Sequence, residues 1–132
     1  MNIGQAAAVS GVTAKMIRYY ESIGLIAPGR RSAAGYRIYG EEDLHALRFV
    51  RRARTLGFSL ERIGALLSLW HNPARASADV KALALSHVDE LDQRISELTA
   101  MHNTLQQLAA SCEGNQHADC SILKNLAGAP PD

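Results

Sequence analysis

From about Ser77 to Ala110 the chain contains no glycine and no proline, so nothing in the backbone interrupts a helix there. Within that stretch Val88, Leu91, Ile95, Leu98, His102 and Leu105 recur by threes and fours, the a/d seam of a coiled coil. At 1.5 Å per residue the helix is roughly 45–50 Å long. The whole chain has 132 residues, which allows one compact domain or a small domain with an extension. A helix of that length exceeds what one small domain can cover. A second copy of the chain offers an identical seam, so a homodimer through Val88, Leu91, Ile95, Leu98 and Leu105 is expected; a helix folded back on its own domain is the alternative. His102 falls on the seam and reads as a packing or hydrogen-bonded histidine, not a ligand.

The net charge of +1 hides an asymmetry. Residues 1–60 carry Lys15, Arg18, Arg30, Arg31, Arg37, Arg48, Arg51, Arg52 and Arg54 against four acids, a balance of +5, and the remainder stands at −4. A basic end of this kind suits nucleic acid, although ordinary surface charge would look the same.

Local patterns sharpen that reading. Ile3, Ala6, Ala7 and Val9 suggest a short helix broken at Ser10-Gly11. Thr13 suits the N-cap of a second helix from Ala14 to about Ile23, stopped at Gly24. Met16, Ile17 and Tyr20 share its inward face, and Lys15, Arg18, Tyr19 and Ser22 share another. Two short helices around a glycine turn, with bases on the second, fit a helix-turn-helix whose recognition helix reaches guanine or phosphate. Arg30 to Tyr39 then reads as a hairpin turning at Gly35. Such a wing sets Arg30, Arg31 and Arg37 for phosphates and Tyr36 for the sugar-phosphate backbone.

A third helix follows Gly40, with Glu41, Glu42 and Asp43 in its first turn and Leu44, Leu47, Val50 and Ala53 facing inward. Arg48, Arg51, Arg52 and Arg54 belong to its polar face. Leu56-Gly57-Phe58 closes it, and Ser59 caps a fourth helix. There Ile63, Leu66, Leu67 and Trp70 are expected in the core, and Asn72-Pro73 ends the helix.

After Ala110 the periodicity stops. Cys112 and Cys120, the only cysteines, bracket a polar loop containing Gly114. Ser121 to Leu126 suggests a short helix capped by Ser121, and a frayed tail from Ala127 carries Pro130-Pro131. Two thiolates do not complete the four-ligand set that zinc prefers. They suit a soft monovalent ion such as Cu(I). His117 is a candidate third ligand for a harder ion, read here as a solvent-exposed loop residue. An incidental pair, or a redox pair closing to a disulfide, stays open.

The start Met-Asn-Ile-Gly-Gln lacks a basic n-region followed by an apolar run. No apolar stretch nears the ~20 residues of a membrane span. A cytoplasmic protein with reduced thiols is therefore expected, with no membrane partner. No phosphate-cradling glycine loop, nucleophile–base pattern or paired acid motif is present, so an enzyme is not expected.

The sequence resembles the MerR family of transcription regulators over about residues 1–126, and within it the CueR-type copper-efflux regulators. The resemblance is carried by Ile17-Arg18-Tyr19-Tyr20-Glu21, Gly24-Leu25-Ile26, Gly35-Tyr36-Arg37 with Tyr39, Ala53-Arg54 with Leu56-Gly57-Phe58, Ser77-Ala78-Asp79-Val80-Lys81, and Cys112 with Cys120. It implies a mainly α fold: a winged helix-turn-helix DNA-binding domain over 1–73, a dimerisation helix over 74–110 in an antiparallel coiled coil, and a metal-binding loop, short helix and tail over 111–132.

It further implies a homodimer on a palindromic operator in double-stranded promoter DNA, where metal binding distorts an overlong spacer for RNA polymerase. Lys15, Arg18, Tyr19, Arg31, Tyr36, Arg37 and Arg54 are the implied DNA-binding set. Cys112 and Cys120 would bind Cu(I), with Ag(I) or Au(I) possible. Ser77 stands where members sensing divalent metals carry a cysteine that adds a ligand from the partner chain, which fits the monovalent type. Copper regulators commonly have proline after the second loop cysteine; here Ser121 follows Cys120.

Overall fold

The computed structural model describes residues 1–128. The chain forms two compact units, Met1–Ala84 and Leu85–Asp132. The fraying expected from Ala127 falls, after residue 128, outside the described residues.

The first unit opens with α1 (Ile3–Ser10). Asn2 caps it: the Asn2 side chain accepts the Gln5 N–H at 2.8 Å, and the Gln5 side chain accepts the Asn2 N–H at 2.9 Å. Gly11 ends α1 in the left-handed region at φ +76. It is the backbone that requires glycine: a Cβ there would fall 2.6 Å from Nη1 of Arg51, which a long side chain can relieve by moving, whereas the left-handed φ would remain strained. Thr13 caps α2 (Ala14–Ser22), its hydroxyl accepting the Met16 N–H at 3.2 Å. Strands β1 (Arg30–Arg31) and β2 (Arg37–Ile38) pair antiparallel, Arg30 opposite Ile38 and Arg31 opposite Arg37.

Helix α3 (Glu41–Thr55) places Glu41, Glu42 and Asp43 at its positive end. Helix α4 (Leu60–Trp70) is capped by Ser59, which accepts the Arg62 N–H at 3.2 Å. The core gathers Ala6, Ile17, Tyr20, Leu47, Val50, Ile63 and Leu67 from α1, α2, α3 and α4, with Ile26 and Tyr39 from the segments between them. Ile17, Leu47, Val50 and Ile63 are fully enclosed, each stabilising the unit by about 1.5–3 kcal/mol through removal from water.

Trp70 departs from the sequence expectation. It is 45% exposed, outside the core formed by Ile63 and Leu67. At the last position of α4 it lies against α3 side chains instead, its ring stacked on His45 at 5.0 Å and tilted to Phe49 at 6.3 Å. The Arg75 guanidinium sits 5.5 Å over it.

Helix α5 runs unbroken from Ser77 to Ser111, roughly 50 Å at 1.5 Å per residue. In the second unit it presents Val88, Ile95, Leu98 and Leu105 exposed, with Leu91 half-buried. His102 is exposed as well, its Nδ1 3.1 Å from the Asn103 side-chain oxygen. A loop then leads to α6 (Ser121–Leu126). The residue capping α6 is Cys120, not Ser121 as the sequence suggested. The Ser121 hydroxyl instead donates back to the carbonyl of Leu108 at 3.0 Å. Among the described residues no helix is long and apolar enough to cross a membrane.

Candidate metal centre and nucleic-acid interface

On α2 the division of faces follows from helical spacing. Ile17 and Tyr20 are buried, and Lys15, Arg18, Tyr19 and Ser22 are exposed together. The wing turns at Gly35, φ +85. Ser32 shapes that turn: its N–H donates to Tyr36 O at 2.6 Å, its carbonyl accepts the Gly35 N–H at 2.9 Å, and its hydroxyl accepts the Tyr36 N–H at 3.2 Å. Arg31 is exposed and donates through Nη1 to the Gly35 carbonyl at 3.0 Å. Tyr36, at the tip, is 74% exposed. Arg54 is exposed on α3, as are Arg48, Arg51 and Arg52. The last three, with Ser10 and Thr55, line a cleft of about 300 Å³.

Sequence reasoning gave Glu21 no role beyond its place in a motif. In the structure it joins the recognition helix to the wing. Its side chain is 3% exposed. Oε1 accepts from Arg37 Nη1 at 2.6 Å and from the Tyr39 hydroxyl at 2.8 Å, and Oε2 accepts the Gly29 N–H at 3.0 Å. A buried carboxylate tolerates removal from water only with such partners. Burial, reinforced by the hydrogen bond to Glu21, holds the Tyr39 phenol above its ordinary value of 10.0. The Tyr39 hydroxyl and Glu21 together push the Arg37 guanidinium further up from its already high value. Arg37 therefore anchors the wing, whatever else it contacts.

In the second unit, Cys112 sits at the end of α5, its N–H donating to Leu108 O at 3.1 Å. Cys120 caps α6. Their sulfurs are 3.7 Å apart, both half-buried and both free thiols. The Cys120 thiol is held below its ordinary value of 9.0, first by the Leu123 N–H, then by the Cys112 side chain, against a smaller upward push from burial. Favouring thiolate favours metal ligation, because the thiolate is the ligand.

The loop between them is ordered by local bonds. The Asn115 side chain donates to Glu113 at 2.8 Å and accepts the His117 N–H at 2.9 Å. His117 is exposed; with both cysteines and Lys124 it borders a cleft of about 260 Å³. Among the described residues no three or more His, Cys, Asp or Glu side chains gather in one place. The donor set is thus a pair of thiols. Twice a metal–thiolate bond of about 2.3 Å is roughly 4.6 Å, so sulfurs 3.7 Å apart need open by less than about 1 Å to hold a two-coordinate ion between them. The residues fit a soft monovalent ion and do not supply a tetrahedral site. Ser77, exposed, opens α5 in the first unit.

Fold and motif together define a winged helix-turn-helix regulator. Residues 1–69 match the family model described as MerR HTH family regulatory protein, and residues 44–108 match the one described as MerR, DNA binding. The chain belongs to the MerR family of transcription regulators and is not an enzyme. It is 54% identical to heavy metal-dependent transcription regulator 2 of Rhizobium meliloti, over 96% of this chain and 86% of that one. It is 47% identical to the HTH-type transcriptional regulator CueR of Escherichia coli O6:H1, over 97% and 95% of the two chains. Among solved structures it resembles the transcription regulator PbrR691 of Ralstonia metallidurans in complex with lead(II), with a TM-score of 0.83, 32% identity, and 96% and 98% of the chains covered.

Proposed function

We propose that this chain is a Cu(I)-responsive transcriptional activator that binds promoter DNA as a homodimer and controls copper-efflux genes. The observation that carries the choice of metal is the thiol pair, two sulfurs 3.7 Å apart, with no third ligand gathered beside them among the described residues. The resemblance to a regulator named heavy metal-dependent and to one crystallised with lead(II) supports metal response in general. Two-thiolate chemistry selects Cu(I), with Ag(I) and Au(I) as soft monovalent equivalents.

In this reading residues 1–73 hold the DNA, 74–110 pair the chains and 111–132 take the ion. Lys15, Arg18 and Tyr19 on α2, Arg31, Tyr36 and Arg37 on the wing, and Arg54 on α3 contact the duplex; all but the half-buried Arg37 are exposed. Glu21 keeps wing and recognition helix at one spacing. The exposed Val88, Ile95, Leu98 and Leu105, with Leu91, meet their copies. Cys112 and Cys120 would hold the ion as thiolates, and a shared ion would link the end of α5 to the start of α6. Helix α5 belongs to both units, and a difference in stability there biases the dimer between two promoter shapes, one of which RNA polymerase can use. Ser77, which lacks a thiol, would add no soft ligand to those of Cys112 and Cys120.

The test is anaerobic titration of the reduced protein with Cu(I) and with Zn(II), each against a competing chelator. One tightly held Cu(I) per chain, lost in Cys112→Ser, with Zn(II) held weakly, is the expected result. Tight Zn(II) would make this a sensor of divalent metals. The absence of any tight metal would favour the second reading that the 3.7 Å separation supports, a Cys112–Cys120 disulfide as the active form.

A further inference from the structure

Ser111 precedes Cys112 and Ser121 follows Cys120, so two serines flank the cysteines on the outer side of the loop. Their hydroxyl oxygens are 2.7 Å apart. Each also lies 3.0 Å from the carbonyl oxygen of Leu108, which accepts the Cys112 N–H as well. The three oxygens close a triangle on the last turn of α5. Two hydroxyls bring two protons to three contacts, so either both donate to the carbonyl or one donates to the other, which donates to the carbonyl. Removing either hydroxyl disturbs more than one contact, and the two serines act as a unit.

The triangle matters because little else fixes α6. That helix has six residues and none is buried. A helix so short is not stable on its own, and its apolar burial is limited to the half-buried Ile122. The side-chain bonds within the loop, Asn115 to Glu113 and His117 N–H to Asn115, span only two residues each. Ser121 is the first residue of α6, a position where proline would fix the backbone by its ring and bring no hydroxyl. Here a hydrogen bond across the loop does the fixing.

We infer that the Ser111–Ser121–Leu108 clasp positions the thiol pair: it holds Cys120 beside Cys112 in the free protein, so that the two-thiolate site is assembled before an ion arrives. Ser111 and Ser121 are positioning residues, not ligands. The consequence for metal rests on the function proposed above; the positioning itself is a property of the metal-free chain.

Two measurements on the full-length reduced protein test this, using Ser111→Ala, Ser121→Ala, the double variant and Ser121→Thr. In the first, without metal, oxidised glutathione closes the Cys112–Cys120 disulfide; the two thiols give up two electrons and two protons, and the oxidant leaves as two glutathione thiols. Closure in Ser121→Ala should be about tenfold slower, the scale of one lost hydrogen bond, with the mixed disulfide accumulating. Ser121→Thr should restore it, and the double variant should be no slower than the slower single. In the second, anaerobic competition for Cu(I) against a chelator should show the same order, with about a tenfold loss of affinity. Unchanged closure in the double variant, additive losses, or failure of Ser121→Thr to restore closure would each overturn the clasp. If closure follows the expected order while the unaltered protein holds no Cu(I), the clasp stands and the metal reading fails.

Discussion

Glu21 and Arg37 are held by neighbours distant in sequence, and Cys120 by one near, Leu123, and one across the loop, Cys112. Arg37 was expected at a phosphate, yet its Nη1 is 2.6 Å from Glu21 Oε1. An Arg37→Ala change would strip a buried carboxylate of its charged partner, so it reports on wing integrity as well as on DNA. Arg31, exposed and with its side chain donating to the turn carbonyl of Gly35, is the cleaner probe of phosphate contact. For Cys120 the direction of the pKa shift gives a pH prediction. Alkylation depends on thiolate, so its rate should rise through a midpoint below 9.0. Cys112→Ala should move that midpoint upward, yet leave it below 9.0 because the Leu123 N–H, the larger cause, remains. A pH–rate profile read by mass spectrometry of the loop peptide checks this; a midpoint at or above 9.0 in the unaltered protein would refute it.

Among the elements, α5 is the one whose surface disagrees with solvent. Ile95 and Leu98 are 60% and 63% exposed, and Leu105 55%. Scattered exposed apolar residues are ordinary, but here they recur at heptad spacing along one helix. Replacing Leu98 with aspartate puts a charge in the middle of the proposed seam. The expected outcome is a monomer in sedimentation and loss of operator affinity, since two half-sites then no longer act together. A dimer that survives Leu98→Asp would remove this seam from the interface. The sequence was direct evidence for α5 because helical period and the lack of glycine and proline are local properties. It was misleading at Trp70, where period alone continued the apolar face of α4 past the point where the core ends.

For the whole molecule, one unit is basic and the other bears the thiols, and the proposed function assigns DNA to the first and the ion to the second. The two functions should therefore separate by mutation. Arg18→Ala is expected to cost about 1–3 kcal/mol of operator affinity with and without Cu(I). Cys112→Ser should leave metal-free operator affinity unchanged and abolish transcription activated by Cu(I). Fluorescence anisotropy with labelled operator and in vitro transcription distinguish them. Loss of operator affinity in metal-free Cys112→Ser would mean that the thiols also support the DNA-bound fold.

The amino-acid sequence by itself determined the helices, their caps at Thr13 and Ser59, the outward bases of α2, the wing turn at Gly35 and the candidacy of Cys112 and Cys120. Each follows from periodicity, capping or turn chemistry within a few residues, or from a residue type used nowhere else. Only the tertiary structure decided that Glu21 is shared by Arg37, Tyr39 and Gly29, that Trp70 rests on His45 at the surface, and that Ser121 reaches back to Leu108 instead of capping α6. These depend on which atoms meet across 8 to 25 positions of chain, and a hydrogen bond or ring contact at that range is set by how the elements pack. No local pattern of residues encodes it.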